Sequence, residues 1–213
     1  MIRSPHKIVS WFEEEVAHYT GAPFAVAVDN CTTAIRMCCQ YMNVKNVTIP
    51  SRTYLSVPQS IIQAGGQVSL KDYDWTGIYQ LEPYDIYDAA KRFTSDMYIP
   101  NSLMCLSFGI KKNLKLGKGG MILCDKLEVA NELKRLRWSG RTEGVSMSED
   151  PVDTMGDNSY ITPEWAARGL MLLSVYPQDH PDQLEENGYP DLSQYGFMKK
   201  HSKTYQGLFH EIH

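Results

Sequence analysis

The sequence lacks the features that would assign it to a membrane or to a nucleic acid. No apolar run approaches the roughly 18 residues that a membrane-spanning helix needs. The 213 residues carry a formal net charge of −4, so no strong basic field attracts the chain to nucleic acid. The N-terminal segment is polar and amphipathic, which is not typical of a secretory signal. We therefore expect neither a membrane nor a nucleic-acid partner.

Paired cysteine motifs are also absent. The five cysteines are odd in number, and none belongs to a Cys-x-x-Cys pair, so the sequence indicates neither a disulfide framework nor a zinc site. They are Cys31, Cys38, Cys39, Cys105 and Cys124. We expect reduced thiols in a cytoplasmic protein and no metal centre.

Apolar strand-like runs alternate with helical periods through the first part of the chain. Lys7 to Tyr19 has helical spacing, Phe24 to Val28 is a strand-like run, and a helical period returns at Ala34 to Met42. The same unit then recurs with predicted strands at 46–49, 67–70, 84–87, 103–108 and 120–124, and helices at 54–64, 127–138 and 163–173. This alternation favours an α/β layered fold with a mostly parallel sheet.

The character of the chain changes after Gly140. Residues 142–159 are polar and acidic, and residues 176–195 are rich in Pro, Asp, Gln and Gly with little periodicity. We therefore expect residues 1–141 to form one large domain. Residues 142–213 would supply a loop, one helix and a reduced C-terminal region.

Polar residues follow several of the predicted strands. They are Asn30 to Thr33, then Ser51, Thr53 and Tyr54, then Asp88, and finally Ser107, Lys111 and Lys112. Ligands gather at the carboxyl ends of parallel strands, so these residues are candidates for one site. Each also has a plainer interpretation when taken alone, because Thr-rich turns are usually helix caps and Lys-Lys pairs are usually solvated.

The order of these residues resembles that of the DegT/StrS-type sugar aminotransferases, over roughly residues 8 to 173. Ile49 to Tyr54 is similar to the family's Pro-Ser-x-Thr-aromatic motif, and Asp88 to Ala90 to its Asp-Ala-Ala-Gln motif. Ser107 to Leu114 is similar to its Ser-Phe-x-x-x-Lys-Asn-Leu motif. Further likenesses are the strand and turn at 25–34, the glycine-rich run at 117–121, the basic segment at 133–141 and the loop at 156–167.

The resemblance implies a three-layer, fold type I enzyme that uses pyridoxal 5′-phosphate (PLP). Lys112 would bind the cofactor's aldehyde covalently, Asp88 would face its ring nitrogen, and Tyr54 would stack on its ring. The residues implied at the phosphate are Cys31, Thr32, Thr33 and Ser107, with Asn158 reaching it from a loop that crosses a dimer interface. The chemistry suits these residue types, because helix N-termini bind phosphate and a buried carboxylate can keep the ring nitrogen of the cofactor protonated.

The chain departs from the family pattern at several points. Lys91 stands where the family has Gln, Cys31 replaces a Gly, and Tyr160 stands in place of an Arg. Only a short link separates Tyr73 from Asp88, and about forty residues follow the last matched helix. The sequence therefore indicates a shortened member with a reduced small domain.

Three functional hypotheses remain open at this point. The first is transfer of an amino group from an amino acid, glutamate being the expected donor, to a keto-sugar carried on a nucleotide. The second keeps PLP but changes the reaction or acceptor, for example to a lyase or decarboxylase, or to a modified nucleobase or carrier-bound substrate. The third is a non-catalytic binding protein that keeps the fold. A homodimer with a shared active site is expected under all three.

Overall fold

The structure is a computed structural model that describes residues 6–184 and 188–201. Helices and strands alternate as far as Lys71, then four further strands follow in succession, and the chain continues with two helices and short helical turns. The helices are α1 (Lys7–Thr20), α2 (Cys31–Tyr41), α3 (Ser56–Gln63), α4 (Leu127–Arg137), α5 (Pro163–Leu173) and α6 (Gly196–His201), with a 3₁₀ turn at Leu192–Gln194. The strands are β1 (Phe24–Val28), β2 (Asn46–Pro50), β3 (Gln67–Lys71), β4 (Tyr79–Gln80), β5 (Ile86–Asp88), β6 (Leu103–Ser107) and β7 (Gly120–Cys124).

The strands form a five-stranded sheet with the order β1-β7-β6-β5-β4 and a parallel pair, β2-β3. Two backbone hydrogen bonds join them where the chain leaves β4. Thr48 N–H donates to the Glu82 carbonyl at 2.8 Å, and Glu82 N–H donates to the Thr48 carbonyl at 3.0 Å. The pair β2-β3 therefore continues the larger sheet beyond β4.

The α/β class is confirmed, but the expectation of a mostly parallel sheet is wrong. β5 and β6 pair in parallel, whereas β1-β7, β6-β7 and β4-β5 pair antiparallel. The reason lies in the connections, since a parallel pairing needs a crossover of a dozen or more residues. Only residues 81–85 separate β4 from β5, and the segment between β6 and β7 contains no helix.

Helices cover both faces of the sheet, which gives the expected three layers. Alternate residues of β1 show the arrangement, because side chains alternate between the faces of a strand. Val26 and Val28 join a core with α2, α3 and α4, while Ala25 and Ala27 join a second core with α1 and α5. Each face of the sheet therefore has its own buried apolar layer.

The later part of the chain packs on these same two cores. Ile161 and Ala166 are buried in the α1 side, and Leu192 and Met198 in the α2 side. The domain boundary placed at residue 141 stays a prediction.

A buried ion network fastens α1, β1 and α4 together. The Glu13 carboxylate accepts hydrogen bonds from Ala27 N–H at 2.8 Å and from the Arg137 guanidinium, and Lys134 Nζ lies 3.3 Å from it. Arg137 also donates to the Ala27 carbonyl at 2.7 Å and to Glu143. The side chains of Glu13 and Arg137 are 5% and 3% exposed, so the two charges neutralise each other away from water.

All five cysteines are free thiols, and four of them are buried. Within residues 6–184 and 188–201, the helices fall short of the length and apolar character needed to cross a bilayer.

Candidate active site

A cleft of about 500 Å³ opens where several strands end. The turns that follow β1, β2, β5 and β6 supply most of its wall. Of the residues predicted for the site, the cleft is lined by Cys31, Thr32, Tyr54, Asp88, Lys91, Ser107 and Lys112. The structure therefore brings together residues that lie up to 81 positions apart in the sequence.

One end of the cleft is the N-terminus of α2. Asn30 caps the helix, because its side-chain oxygen accepts a hydrogen bond from Thr33 N–H at 2.8 Å. α2 thus begins at Cys31, three residues before the periodicity alone indicates. The hydroxyl of Thr32 lies 2.7 Å from that of Ser56, at the start of α3. A helix N-terminus flanked by hydroxyls is a suitable site for an anion.

Gly120 allows this turn to approach the sheet closely. A Cβ atom at position 120 would lie 2.5 Å from the carbonyl carbon of Asn30 and 2.7 Å from Cys31 N. Only a residue without a side chain fits there, so the position of the α2 N-terminus depends on this glycine.

Asp88 lies at the floor of the cleft and is 3% exposed. Its two carboxylate oxygens accept hydrogen bonds from Ala90 N–H at 2.9 Å and from the Tyr79 hydroxyl at 2.8 Å. Burial raises the pKa of Asp88, while these two hydrogen bonds and the charges of Lys112 and Lys91 act in the opposite direction. The site is therefore built to hold a carboxylate in spite of its burial.

Lys112 lies in the loop after β6 and is half-buried, whereas its neighbour Lys111 is exposed. Its backbone N–H donates to the Gly109 carbonyl at 3.0 Å, which curls the loop over the end of β6. Burial raises the pKa of both Asp88 and Cys31, and the positive charge of Lys112 acts in the opposite direction on each. Because the charge of this amine acts on both the thiol of Cys31 and the carboxyl of Asp88, the three groups lie in one site.

Lys91 is 7% exposed and lies against two aromatic rings. Its ammonium nitrogen is 4.6 Å from the ring centroid of Tyr189 and 5.1 Å from that of Trp75. The two rings are nearly parallel, 8° apart. Lys91 thus forms part of a cation–π arrangement in the wall of the cleft, at the position where the resemblance implies a Gln.

Tyr54 lies at the mouth of the cleft and is 58% exposed. Its ring meets the edge of Tyr189 with 6.3 Å between centroids. A second depression of about 340 Å³ shares Trp75, Lys91 and Tyr189 with the cleft, so the open space extends beyond its main chamber.

Two of the predicted site residues do not line this cleft. Thr33 is buried beneath the α2 turn, where its N–H meets the Asn30 cap. Asn158 is exposed and forms an antiparallel bridge with Trp138 at the end of α4, and the neighbouring Tyr160 ring packs against Trp138 with centroids 4.4 Å apart. The assignment of Asn158 to a partner's site stays a prediction.

Sequence patterns gave no indication of the residues that surround Asp88 and Lys91. They are Trp75, Tyr79, Gln183 and Tyr189. Tyr79 belongs to a two-residue strand, and Gln183 and Tyr189 come from a segment without periodicity. The one available signal was the density of aromatic residues in the short link before Asp88.

Comparison with known proteins confirms the resemblance to the family. The model of the DegT/DnrJ/EryC1/StrS aminotransferase family matches residues 2–99, a segment that includes Tyr54, Asp88 and Lys91. The motif around Lys112 lies beyond the matched segment. No curated protein matched the chain.

Solved structures of aminotransferases share the fold. A putative PLP-dependent aminotransferase from Bacillus cereus ATCC 10987 superposes with a TM-score of 0.68 at 19% identity, over 79% of this chain and 58% of its own length. DesV of S. venezuelae gives 0.65 at 20% identity, over 78% and 56%. DesI, solved in the presence of its TDP-sugar product, gives 0.63 at 19% identity, over 81% and 54%. The chain thus spans little more than half the length of these proteins.

Proposed function

We propose that this chain binds PLP in the cleft and acts as an aminotransferase. The observation that carries the proposal is the meeting of a buried carboxylate, Asp88, with the amine of Lys112 at a helix N-terminus. The three groups come from separate parts of the chain and line one cleft. A buried carboxylate that is acted on by the charges of two lysines and lies in a cleft is typical of a functional site.

The residues present fit the cofactor. The cleft of about 500 Å³ is within the range of roughly 300–1,000 Å³ that is usual for cofactor sites. The N-terminus of α2, with Thr32 and Ser107, would hold the phosphate. Asp88 would hold the ring nitrogen, and Tyr54 would cover one face of the ring.

When bound, PLP supplies an aldehyde and an electron-withdrawing ring. The proton transfer and the positioning of the ring depend on residues of this chain. The amine of Lys112 would hold the cofactor through its aldehyde, with loss of water, and once a substrate amine displaced it, it would move a proton to or from the substrate carbon as a general acid and base. The buried carboxylate of Asp88 would keep a proton on the ring nitrogen through a charge-assisted hydrogen bond.

Glutamate is the proposed amino donor, and a keto-sugar carried on a nucleotide is the proposed acceptor. The support for the acceptor is the likeness to DesI, which was solved with its TDP-sugar product. The depression beside Trp75 and Tyr189 gives additional room for an acceptor larger than an amino acid. We also propose a cytoplasmic location, in keeping with five free cysteines.

A homodimer with a shared site is part of the proposal. Asn158 is exposed and outside its own chain's cleft, as a residue offered to a partner would be. Sedimentation of the PLP-loaded protein should give a dimer, and a stable PLP-binding monomer would remove this part of the proposal.

The first experiment is the visible absorbance of the full chain with added PLP, in wild type, Lys112→Ala and Lys111→Ala. Wild type and Lys111→Ala should show the visible band of lysine-bound PLP, and Lys112→Ala should lack it. Borohydride reduction followed by peptide mapping should place the label on Lys112. A wild type without the band and without label would contradict the proposal.

Glutamate then separates the kinds of reaction. Bleaching of the band with release of the matching keto acid supports amino-group transfer. Release of carbon dioxide or an elimination product would indicate another PLP reaction. A band that no amino acid changes would indicate a protein that binds PLP without using it.

A further inference from the structure

The Asp88 carboxylate is held by a buried chain of hydroxyl groups. The Tyr79 hydroxyl lies 2.8 Å from one Asp88 oxygen, and the Thr53 hydroxyl lies 2.7 Å from the Tyr79 oxygen. The three residues are 3%, 5% and 1% exposed for Asp88, Tyr79 and Thr53. They come from β5, β4 and the loop after β2, so the contact joins three separate segments.

The direction of these hydrogen bonds follows from the number of protons available. A carboxylate only accepts, so Tyr79 must give its single hydroxyl proton to Asp88. Thr53 then has to donate to the Tyr79 oxygen. The hydrogen bonds therefore run from Thr53 to Tyr79 and from Tyr79 to Asp88, so each hydroxyl donates in the direction of the carboxylate.

We propose that Tyr79 is a positioning residue that fixes the Asp88 carboxylate toward the ring nitrogen of the cofactor. This inference rests on the proposed role of Asp88 in binding PLP. Ala90 N–H fixes the second carboxylate oxygen at 2.9 Å, so the two bonds together prevent rotation about the Cβ–Cγ bond. Without Tyr79 a single bond would remain, and the carboxylate could turn away from the cofactor.

The same hydrogen bond favours the charged form of Asp88. Burial raises the pKa of this carboxyl group, and the bond from Tyr79 lowers it. Burial and the nearby Asp88 charge keep the pKa of Tyr79 well above its ordinary value, so the phenol remains a donor. The other ionisable groups that act on Asp88 or feel its charge come from the cleft and from β6, and they are Cys31, Lys91, Cys105 and Lys112.

Tyr79 comes from the segment in which this chain departs most from the family pattern. The short link before Asp88 forms β4, whose Tyr79 pairs directly with Asp88 across the antiparallel strands. The Tyr79 ring is also held by Trp75, with centroids 4.6 Å apart. The shortened link therefore provides a support for Asp88 that the motifs alone do not predict.

The test compares Tyr79→Phe with Tyr87→Phe, which removes the same hydroxyl from a neighbouring strand position on the opposite face. The first measurement is an NMR titration of ¹³C-labelled aspartate carboxyls in the unliganded full chain, with Asp88 assigned from Asp88→Asn. The pKa of Asp88 should rise in Tyr79→Phe, because a bond to the charged form is lost, and should not move in Tyr87→Phe.

The second measurement is PLP affinity from the visible band as a function of pH. Tyr79→Phe should bind PLP roughly tenfold more weakly, as expected for losing one hydrogen bond to a charged group. Its binding should also fail at a higher pH on acidification than that of wild type. Thr53→Val, which leaves Tyr79 in place, should shift both quantities in the same direction by less, and it decides the question if Tyr79→Phe does not fold.

An Asp88 pKa and a PLP affinity that are the same in Tyr79→Phe and Tyr87→Phe would overturn this inference while leaving the proposed function intact. A wild type that binds no PLP would instead overturn the proposed function. The titration of the unliganded protein would then still decide whether Tyr79 controls the ionisation of Asp88.

Discussion

Among single substitutions that change a charge, one that breaks the buried Glu13–Arg137 pair should lower the stability of this fold the most. Glu13→Gln preserves the shape of the side chain and one oxygen that can accept from Ala27 N–H. It removes the negative charge that faces Arg137, whose side chain is 3% exposed, and Lys134. The substitution therefore leaves the buried guanidinium of Arg137 with less negative charge to neutralise it.

The size of the loss in the free energy of unfolding depends on the partners that Arg137 keeps. Removing one partner of a buried ion pair costs about 3–5 kcal/mol. Arg137 retains the Ala27 carbonyl and the half-exposed carboxylate of Glu143, so we expect the lower end, about 3 kcal/mol. For a chain of this length that corresponds to a fall of about 6–12 °C in Tm. Urea unfolding and thermal circular dichroism should both report it.

Glu14→Gln is the matched control, because Glu14 is the exposed neighbour on the same helix. It should change the free energy of unfolding by less than about 0.5 kcal/mol. The double variant Glu13→Gln with Arg137→Gln should lose less than the sum of the two single variants. A Glu13→Gln protein as stable as Glu14→Gln, or strictly additive losses, would refute the reasoning.

Three further changes probe the cleft. Gly120→Ala places a Cβ against the Asn30 backbone and should cost about 1–3 kcal/mol in urea unfolding, whereas Gly196→Ala, with open space around it, should cost less than about 0.5 kcal/mol. Asp88→Asn should make the unliganded protein more stable at neutral pH, since burial raises the pKa of this carboxyl and its charged form therefore opposes folding there. That gain should shrink as the pH falls through the Asp88 pKa, and an unchanged or lower stability at neutral pH would contradict it. Lys91→Met should lower the free energy of unfolding by about 1–2 kcal/mol, because it removes the cation–π contribution of two aromatic neighbours, and it should shift the fluorescence of Trp75. No change in the free energy of unfolding or in the fluorescence would contradict this arrangement.

Local sequence patterns predicted most of the regular elements, but not β4, the 3₁₀ turn or α6. The apolar run at 24–28 and the helical period at 163–173 correspond residue for residue to β1 and α5. Such segments carry their own signal, because the period of their apolar residues matches one face of a strand or helix. Strand direction carries no such signal. It depends on the length and content of the connections, which is why the sheet is mixed rather than mostly parallel.

The same distinction applies to the site. The motif spacing predicted Lys112 rather than Lys111, and the structure makes Lys112 the more buried of the two. Asp88 was predicted from its position after an apolar strand. Tyr79 could not be predicted, since its role depends on the pairing of β4 with β5, and Tyr189 reaches the cleft from 135 positions beyond Tyr54.

The pairing of β1 with β7 has a consequence for how the chain folds as it is made. Val28 pairs with Gly120, so β1 leaves the ribosome about ninety residues before its hydrogen-bonding partner. At a synthesis rate of about 5–20 residues per second, that delay is roughly 5–20 s. During this time the run Phe24 to Val28 lacks both β7 and α4, and its edges are open to other nascent chains. We expect the chain to be most prone to aggregation in this interval, which ends when β7 is synthesised and inserts between β1 and β6.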